Sequence, residues 1–244
     1  MRISSLLGLS LCFAFANLAA NSQQAVPDGN VRTYIQGIDI PPIAGAPFTA
    51  RIDVTWAQPL VGGGAINRKY YTMVARDSQG RVHRETRSFI PADSDQDPPL
   101  RSVTIVDPVA GTRVVCVQST KNCSTAPYHA RLPLDEDAGG SLPAGSGNIK
   151  RESLGNQTIE SLHAVGTRET TTSQAGDHGS NRLIISHREI WYSPDLQIDL
   201  SVVRTNPQLG QVTLNVTNLD RREPDASWFT APSGFEVLNA HNDQ

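Results

Sequence analysis

The residues best suited to chemistry are two cysteines, the only ones beyond the first twenty residues of the 244-residue chain. Cys116 and Cys123 lie in the stretch RVVCVQSTKNCSTAPY, which is compatible with a metal site, a redox pair or a disulfide. A zinc site needs further ligands, and no second CxxC or HxxxH pattern supplies them. A redox pair favours CxxC at the start of a helix, whereas VVCVQ is typical of a strand.

The spacing of the two cysteines fits a disulfide across a β hairpin. If residues 118–121 form a four-residue loop, Cys116 lies opposite Cys123, and their Cα atoms are about 4.5 Å apart. Closing so small a loop stabilises the fold by about 2.5 kcal/mol. We therefore predict a structural disulfide between them.

Histidines beside carboxylates are the candidates for catalysis. In the stretch SHRE, Ser186 precedes His187, and strand alternation puts His187 and Glu189 on one face. A hydrolase would also need a nucleophile on a sharp turn, and no G-x-S-x-G motif is present. A polar pair at the wet edge of a sheet is the alternative. Because no catalytic set is recognisable, we predict a protein that is not an enzyme.

Two acidic stretches have part of the pattern of a metal-binding loop. GDHGS places Asp177 and His178 in a turn, and DSDQD places carboxylates at alternate positions from Asp93 to Asp97. The second stretch lacks the glycine and the glutamate of a calcium loop. Solvated loops are the simpler interpretation of both, so we predict neither a metal site nor a cofactor.

Two basic stretches, NRKYY and RVHRETR, place cations on adjacent predicted strands. The residues are Arg68, Lys69, Arg84 and Arg87. They could hold the carboxylate or phosphate of a ligand, or they could keep an exposed sheet edge soluble. The sequence leaves both interpretations open.

The first twenty residues, MRISSLLGLSLCFAFANLAA, predict export. One basic residue, an apolar run too short to span a bilayer, and small residues at the end are typical of a cleavable secretory signal. We predict cleavage after Ala20, with Ala16 and Ala19 as alternatives. The protein is then secreted or periplasmic, in a compartment where a disulfide persists.

The charge and hydropathy of the rest of the chain give no indication of nucleic-acid binding, of binding to an anionic membrane surface or of a membrane span. Loss of Arg2 changes the net charge from −3 to −4, which gives no indication of nucleic-acid binding. No later apolar run is long enough to predict a transmembrane segment.

The mature sequence alternates between apolar and polar residues. In PFTARIDVTW, the side chains of Phe48, Ile52 and Trp56 fall on one face of a predicted strand. Short links rich in Gly, Asp and Pro separate further segments of this kind. We predict a mainly β fold, an antiparallel meander that forms a curved sheet, a half barrel or a two-sheet sandwich. The other predicted strands are Ile66–Ala75, Arg81–Ile90, Arg101–Val106, Arg113–Val117, Ile159–Thr172, Arg182–Ser193, Ile198–Thr205 and Gln211–Leu219.

The predicted organisation is one β domain over residues 31–238. A flexible tail at 21–30 precedes it, and the Gly- and Pro-rich residues at about 131–148 predict a flexible connection. The stretch PDASWF, with Pro224 at its start, predicts one turn of helix.

Several stretches resemble known families. ARDSQGRVHRE, IVDPVAGTR, VGTRETTT, EIWYSPDLQIDL and REPDASWFTAPSGFEVL resemble a group of secreted bacterial proteins of unknown function. From Trp191 to Val237, the chain is similar to the periplasmic lipoprotein carrier and lipoprotein receptor family. The similarity lies in a Trp-led strand, successive hairpins, an aspartate, a Phe and P-x-G-[FY]. It implies an unclosed β barrel with an apolar cavity for acyl chains.

This resemblance, together with apolar groups on both faces of residues 183–192, favours a role in ligand binding. We expect a cell-envelope protein that binds or carries a lipid or another apolar or amphipathic molecule. The predicted cavity residues are Phe48, Ile52, Val54, Trp56, Trp191, Ile198 and Leu200. An ordinary dry core is the alternative for these residues. The alternative function is a non-enzymatic envelope scaffold or interaction protein whose strands pair with a protein partner.

Overall fold

The computed structural model describes residues 37–129, 140–141, 147–173 and 183–238. In these ranges the chain forms fourteen β strands and one short 3₁₀ helix, Ala226–Phe229. The strands are β1 (Phe48–Pro59), β2 (Ala65–Arg76), β3 (Val82–Arg87), β4 (Ile90–Pro91), β5 (Leu100–Asp107), β6 (Thr112–Val117), β7 (Asn122–Pro127), β8 (Gly140–Ser141), β9 (Gly147–Ile159), β10 (Leu162–Ser173), β11 (Ile184–Ser193), β12 (Ile198–Asn206), β13 (Gly210–Asp220) and β14 (Glu236–Leu238).

The strands form one open sheet that contains both halves of the chain. Their order is β14-β7-β6-β5-β3-β2-β1-β13-β12-β11-β10-β9-β8, and β4 also pairs with β2. All neighbours are antiparallel except β14 and β7. The first and last long strands meet in the middle, where β1 pairs with β13 from Thr49 to Ala57. The predicted mainly β, antiparallel class is confirmed, and the strands lie in one unclosed sheet rather than in two packed sheets.

The sheet curls strongly toward one end of its strands. The Glu160 carboxylate, in the turn between β9 and β10, accepts a hydrogen bond of 3.2 Å from the backbone N–H of Leu219 in β13. In a flat sheet, three strand spacings would separate β10 from β13 by about 14 Å. The hydrogen bond therefore requires curvature of the kind that the sequence predicted.

One face of the central strands, which we call the inner face, carries the larger apolar cluster. Phe48, Ile52 and Val54 of β1 lie on it, and each is at most 1% exposed. They alternate with polar residues on the opposite, outer face, as the sequence pattern predicted. Complete burial of such side chains stabilises the fold by about 1.5–3 kcal/mol each.

The outer face carries a second cluster around the disulfide. Val103, Cys116 and Cys123 lie opposite one another on β5, β6 and β7, and Phe229 of the 3₁₀ helix packs over them. The Cys116–Cys123 disulfide is present, with Cα atoms 3.9 Å apart, closer than the distance expected from the sequence. The predicted hairpin is confirmed, with Val117 opposite Asn122 beside its four-residue turn.

The C-terminal residues cross the outer face and end on the disulfide hairpin. The chain leaves β13 at the middle of the sheet, forms the predicted helical turn, and returns as β14 beside β7. The backbone N–H of Glu236 donates to the carbonyl of Lys121 at 2.8 Å, and the Lys121 ammonium lies over the Phe235 ring. The hairpin turn is therefore the docking point of this segment.

Two strand boundaries differ from the sequence prediction. The predicted strand Ile159–Thr172 contains a turn at Glu160 and Ser161, both with positive φ, and β9 precedes that turn. The predicted strand Arg81–Ile90 stops at Arg87, because Phe89 leaves the ladder and packs on the Tyr70 ring with centroids 4.5 Å apart.

Some predictions fall outside the described residues. These are the secretory signal at 1–20, the tail at 21–30, the loop residues Asp177 and His178, and most of the connection at 131–148. Of that connection, residues 140–141 and 147–148 are strand. Within the described ranges, no helix is long and apolar enough to cross a bilayer.

The disulfide hairpin generates the first prediction. Replacing Cys116 and Cys123 together by serine should lower the free energy of unfolding by about 2–4 kcal/mol, because the unfolded chain loses its cross-link. Urea unfolding of both proteins, with and without reductant, measures this. Reductant should destabilise the native sequence and leave the double variant unchanged; equal stability of the two proteins without reductant would contradict a structural role.

Candidate functional site

A segment without a strand partner, residues 37–47, crosses the inner face; we call it the crossing segment. Its side chains Ile38, Ile40 and Ala46 are buried in the inner cluster, each at most 7% exposed. Apolar residues at alternate positions let this extended segment place one side against the sheet. The crossing segment therefore covers apolar surface that would otherwise face solvent.

Arg76 holds the crossing segment in place. This residue is fully buried and donates to three backbone carbonyls: Nε to Ala46 at 2.9 Å, Nη1 to Pro41 at 3.0 Å and Nη2 to Leu196 at 2.8 Å. Burial lowers the pKa of Arg76 to about 10, and Arg221 acts in the same direction, so the side chain stays protonated at neutral pH. One guanidinium thus joins the crossing segment, β2 and the turn between β11 and β12.

A cleft of about 600 Å³ lies between the crossing segment and the inner face of β2, β3, β5 and β6. Side chains that lie opposite one another in the strand register form its floor: Thr72 lies opposite Thr86, and Arg84 lies opposite Thr104. The lining residues are Gly37, Ile38, Asp39, Ile40, Pro41, Pro42, Tyr70, Thr72, Val82, Arg84, Thr86, Thr104, Val106, Arg113, Pro127, Tyr128 and His129.

The cleft is apolar on one side and polar on the other. Ile38, Ile40 and Val82 belong both to its lining and to the buried inner cluster, so the cleft is continuous with the core. Three threonines and two arginines supply hydroxyl and guanidinium groups to the same space. Such a lining suits a molecule with an apolar part and a polar or anionic part.

Arg84 is the central cation of the cleft. Its Nη2 donates to the carbonyl of Ile38 at 2.6 Å, which ties it to the crossing segment. Desolvation by burial lowers the pKa of Arg84, while Asp39 and Tyr70 act in the opposite direction. Burial raises the pKa of the Tyr70 hydroxyl, although Arg84, Arg101 and Arg204 act to lower it. Of the three guanidinium groups that act on Tyr70, only that of Arg84 lines the cleft.

A second cleft, of about 570 Å³, lies on the outer face between β1, β2 and residues 94–98. There the Arg51 guanidinium lies 3.9 Å from the centroid of the Tyr71 ring, and Tyr71 donates to the Asp97 carboxylate at 2.8 Å. Arg87 also donates to Asp97, at 2.7 Å. These polar groups are already paired with one another, so this cleft offers fewer free contacts to a ligand.

The structure gathers the predicted cavity residues into one apolar cluster. Phe48, Ile52, Val54, Trp56, Ile198 and Leu200 are buried, and Trp191 packs against the cluster from its edge. Of these seven, only Val54 contacts either cleft described above. Ile52 and Val54 nevertheless lie opposite Thr72 and Tyr70 of the cleft lining. That these residues line a ligand cavity stays a prediction.

The candidate catalytic groups have separate partners. The Nδ1 atom of His187 lies 3.1 Å from the Thr170 hydroxyl, while Glu189 accepts two hydrogen bonds from Arg168, at 2.9 and 2.6 Å. Ser186 accepts from the Asn206 side chain at 3.0 Å. The three side chains therefore do not form a relay.

The residues predicted for a metal site and for a cationic site do not come together in one place. In the part of the chain that the structure describes, no group of three or more His, Cys, Asp or Glu side chains is arranged to hold a metal ion. Of the predicted basic residues, Arg84 lies in the inner cleft and Lys69 in the outer one. Arg68 lies 5.9 Å from the Trp56 ring.

Sequence reasoning missed the crossing segment and Arg76. The signal for the segment is the alternation of Ile38 and Ile40, hidden among the prolines and glycines that follow. Arg76 gave no local signal, because its three acceptors are up to 120 residues away in the chain.

No protein-family model matches the sequence, and neither does any curated protein. Solved structures with a similar fold include an uncharacterized conserved protein from Thermus thermophilus, with 10% identity, 87% of this chain and 98% of that chain covered, and a TM-score of 0.41. The complex of Pseudomonas aeruginosa MucA and MucB matches with 14% identity, 85% of this chain, 60% of that chain and a TM-score of 0.41. A LolA superfamily protein from Nitrosomonas europaea matches with 10% identity, 84% and 98% coverage, and a TM-score of 0.29.

All three matches are remote. Their identities and TM-scores establish no function for this chain. The functional argument therefore depends on the geometry of the cleft.

Arg76 generates the second prediction. Arg76→Met should lower the free energy of unfolding by roughly 3 kcal/mol or more, because three buried carbonyls lose a charged donor. Urea unfolding measures the loss, and limited proteolysis should show faster cleavage within residues 37–47.

The matched control is Arg222→Met, since Arg222 is exposed and its side chain pairs with Asp220. This control should change stability by less than about 0.5 kcal/mol. A similar small effect of Arg76→Met would show that the crossing segment is held by other contacts.

Proposed function

We propose that this protein binds or carries an amphipathic molecule in the cell envelope, and that the inner cleft holds it. The observation that carries the proposal is a cleft of about 600 Å³ whose walls combine core apolar side chains with arginines and threonines. This volume lies within the range of about 300–1,000 Å³ that is typical of small-molecule sites.

The apolar part of the ligand would lie against Ile38, Val82 and Val106. These side chains line the cleft and pack on the inner cluster, so a ligand there would extend the core. In this proposal the predicted cavity residues form the core beside the cleft, because Ile52 and Val54 lie opposite Thr72 and Tyr70 of its lining in the strand register. Displacement of the crossing segment would uncover more of the same surface.

The polar part of the ligand would lie beside Arg84 and the threonine hydroxyls. Arg113 extends this cationic side, and no ion-pair partner of Arg84 or Arg113 is found among the described residues. A carboxylate or phosphate would gain charge-assisted hydrogen bonds from such a pair. The sequence alone left this role of the basic residues open.

Two features support the location in the envelope. The first twenty residues have the pattern of a secretory signal, and the Cys116–Cys123 disulfide suits an oxidising compartment. Together with the amphipathic cleft, they favour a binding protein or carrier outside the cytoplasm.

A second candidate function, an envelope interaction protein, is favoured by the edge of the sheet at β9. Among the described residues, β8 covers β9 only at Asn148 and Ile149, so residues 151–159 have no strand partner on that side. A strand of a protein partner could add to this edge. The two candidate functions differ in what should co-purify with the protein from the envelope fraction: a lipid-sized molecule in the first case, a second protein in the other.

The cleft generates the third prediction. Thr104→Trp should fill the cleft and weaken the binding of a fluorescent fatty acid by at least about tenfold, because the indole occupies the space of the ligand. Fluorescence titration measures the affinity, and native mass spectrometry of protein from the envelope fraction should show loss of any lipid-sized adduct.

Thr158→Trp is the matched control, because Thr158 is exposed on β9 and remote from the cleft lining. It should bind the fatty acid as the native sequence does. Absence of any adduct and of saturable binding by the native protein would contradict the proposal. A co-purified second protein would instead favour the interaction function.

A further inference from the structure

Seven side chains form a row across seven neighbouring strands, apart from the cleft. Each lies directly opposite the next in the strand register, and residues that are directly opposite share a face of the sheet. From β9 to β2 the row is Arg151, Glu169, Arg188, Arg204, Val212, Trp56 and Arg68. Because Val212 and Trp56 belong to the buried inner cluster, the arginines lie on the inner face, where that cluster ends.

Side-chain contacts agree with this register. Arg151 Nε lies 2.8 Å from one oxygen of Glu169, and Arg188 Nη1 lies 3.5 Å from the other. At the far end, the Arg68 guanidinium lies over the Trp56 ring. Side-chain contacts therefore link the first three residues of the row with one another and the last two with each other.

The row contains more arginines than carboxylates. It contains four arginines and a single glutamate, and Glu169 is shared between two of the arginines. Asp199 forms a longer ion pair with Arg188, at 3.8 Å, and the neighbouring Glu189 is paired with Arg168. Arg188 lies directly opposite Arg204 in the register.

Two donors in the row are buried and unpaired. Arg151 Nη1 and Arg188 Nε have no hydrogen-bond partner among the described residues, although each atom is shielded from solvent. A buried donor without an acceptor carries its full desolvation penalty. Both arginines flank Glu169, so an acceptor with several oxygens beside that carboxylate could reach both donors.

The row is also accessible. The side chains of Arg151 and Arg188 are 23% and 32% exposed, so part of each side chain is open to solvent even though the two unpaired donor atoms are not. Arginine matches the tetrahedral oxygens of phosphate through paired N–H donors.

We propose that this arginine row binds a phosphate group, carried either by a soluble phosphate compound or by a lipid headgroup. Arg151 and Arg188 donate to its oxygens. None of the row residues lines the inner cleft, so this proposal is independent of the proposed function.

The fourth prediction tests the row with two probes. Inorganic phosphate at constant ionic strength should raise the Tm of the native protein relative to chloride, through binding to the folded state. Vesicles of phosphatidylcholine with 30 mol% phosphatidylglycerol, compared with phosphatidylcholine alone, test the lipid source by co-sedimentation. Arg188→Met should weaken whichever interaction is present by at least about tenfold.

The matched control is Arg222→Met, which removes one exposed arginine outside the row. Without phosphate, Arg188→Met should keep its Tm, because the variant loses a buried unpaired donor together with two long ion pairs; this separates a binding role from a structural one. Arg151→Met is the second variant, and it should lose the same interaction. A phosphate-dependent Tm identifies a soluble compound, and vesicle binding alone identifies a lipid headgroup.

Two results would overturn the proposal. One is a native protein whose Tm is the same in phosphate and chloride and which ignores both kinds of vesicle. The other is full retention of binding by both Arg188→Met and Arg151→Met, since the phosphate would then lie elsewhere.

Discussion

The pairing of β1 with β13 is the contact on which the rest of the structure depends. It joins two meanders, β1 to β7 and β8 to β13, that are otherwise separate in the order of the sheet. The inner cluster extends across this seam, from Val54 of β1 to Leu214 of β13 and Val202 of β12. Without the seam, each half would expose an apolar face, and the arginine row, which spans both halves, would be divided.

Once both halves share one curved sheet, its two faces are covered by segments from opposite ends of the described chain. The crossing segment lies on the inner face and is held by Arg76, whereas residues 221–235 cross the outer face and pack on the disulfide hairpin. Buried hydrogen bonds fix the first segment, and apolar contacts with a backbone hydrogen bond fix the second. The cleft forms where coverage of the inner face is incomplete.

Local pattern predicted much of this fold, because period-two alternation reports which strands have one buried face. The strands around Ile52 and Cys116 followed from that pattern, and so did the disulfide hairpin. In contrast, β9 was missed, because GNIKRESLGNQTI has few apolar residues and lies at an edge where neither face needs them. The turn at Glu160 and Ser161 was missed because neither residue is a typical carrier of positive φ.

The candidate sites depended on register, which no local pattern specifies. Arg84 was recognised as a possible ligand contact, but its position against Ile38 required the crossing segment. The row from Arg151 to Arg68 contains residues more than eighty positions apart and exists only through six strand pairings. Sequence alone therefore identified the residue types of these sites and not their neighbours.

The return of the C-terminal residues to β7 has a consequence for the order of folding. β14 completes an edge made of strands that emerge more than one hundred residues earlier, so the edge of β7 stays open until residues 236–238 have been synthesised. Long-range pairings of this kind form slowly, and unpaired edges invite association between chains during that interval. Early formation of the Cys116–Cys123 disulfide would fix the β6–β7 hairpin before β14 is synthesised. It would thereby limit the conformations in which the unpaired edge of β7 is exposed.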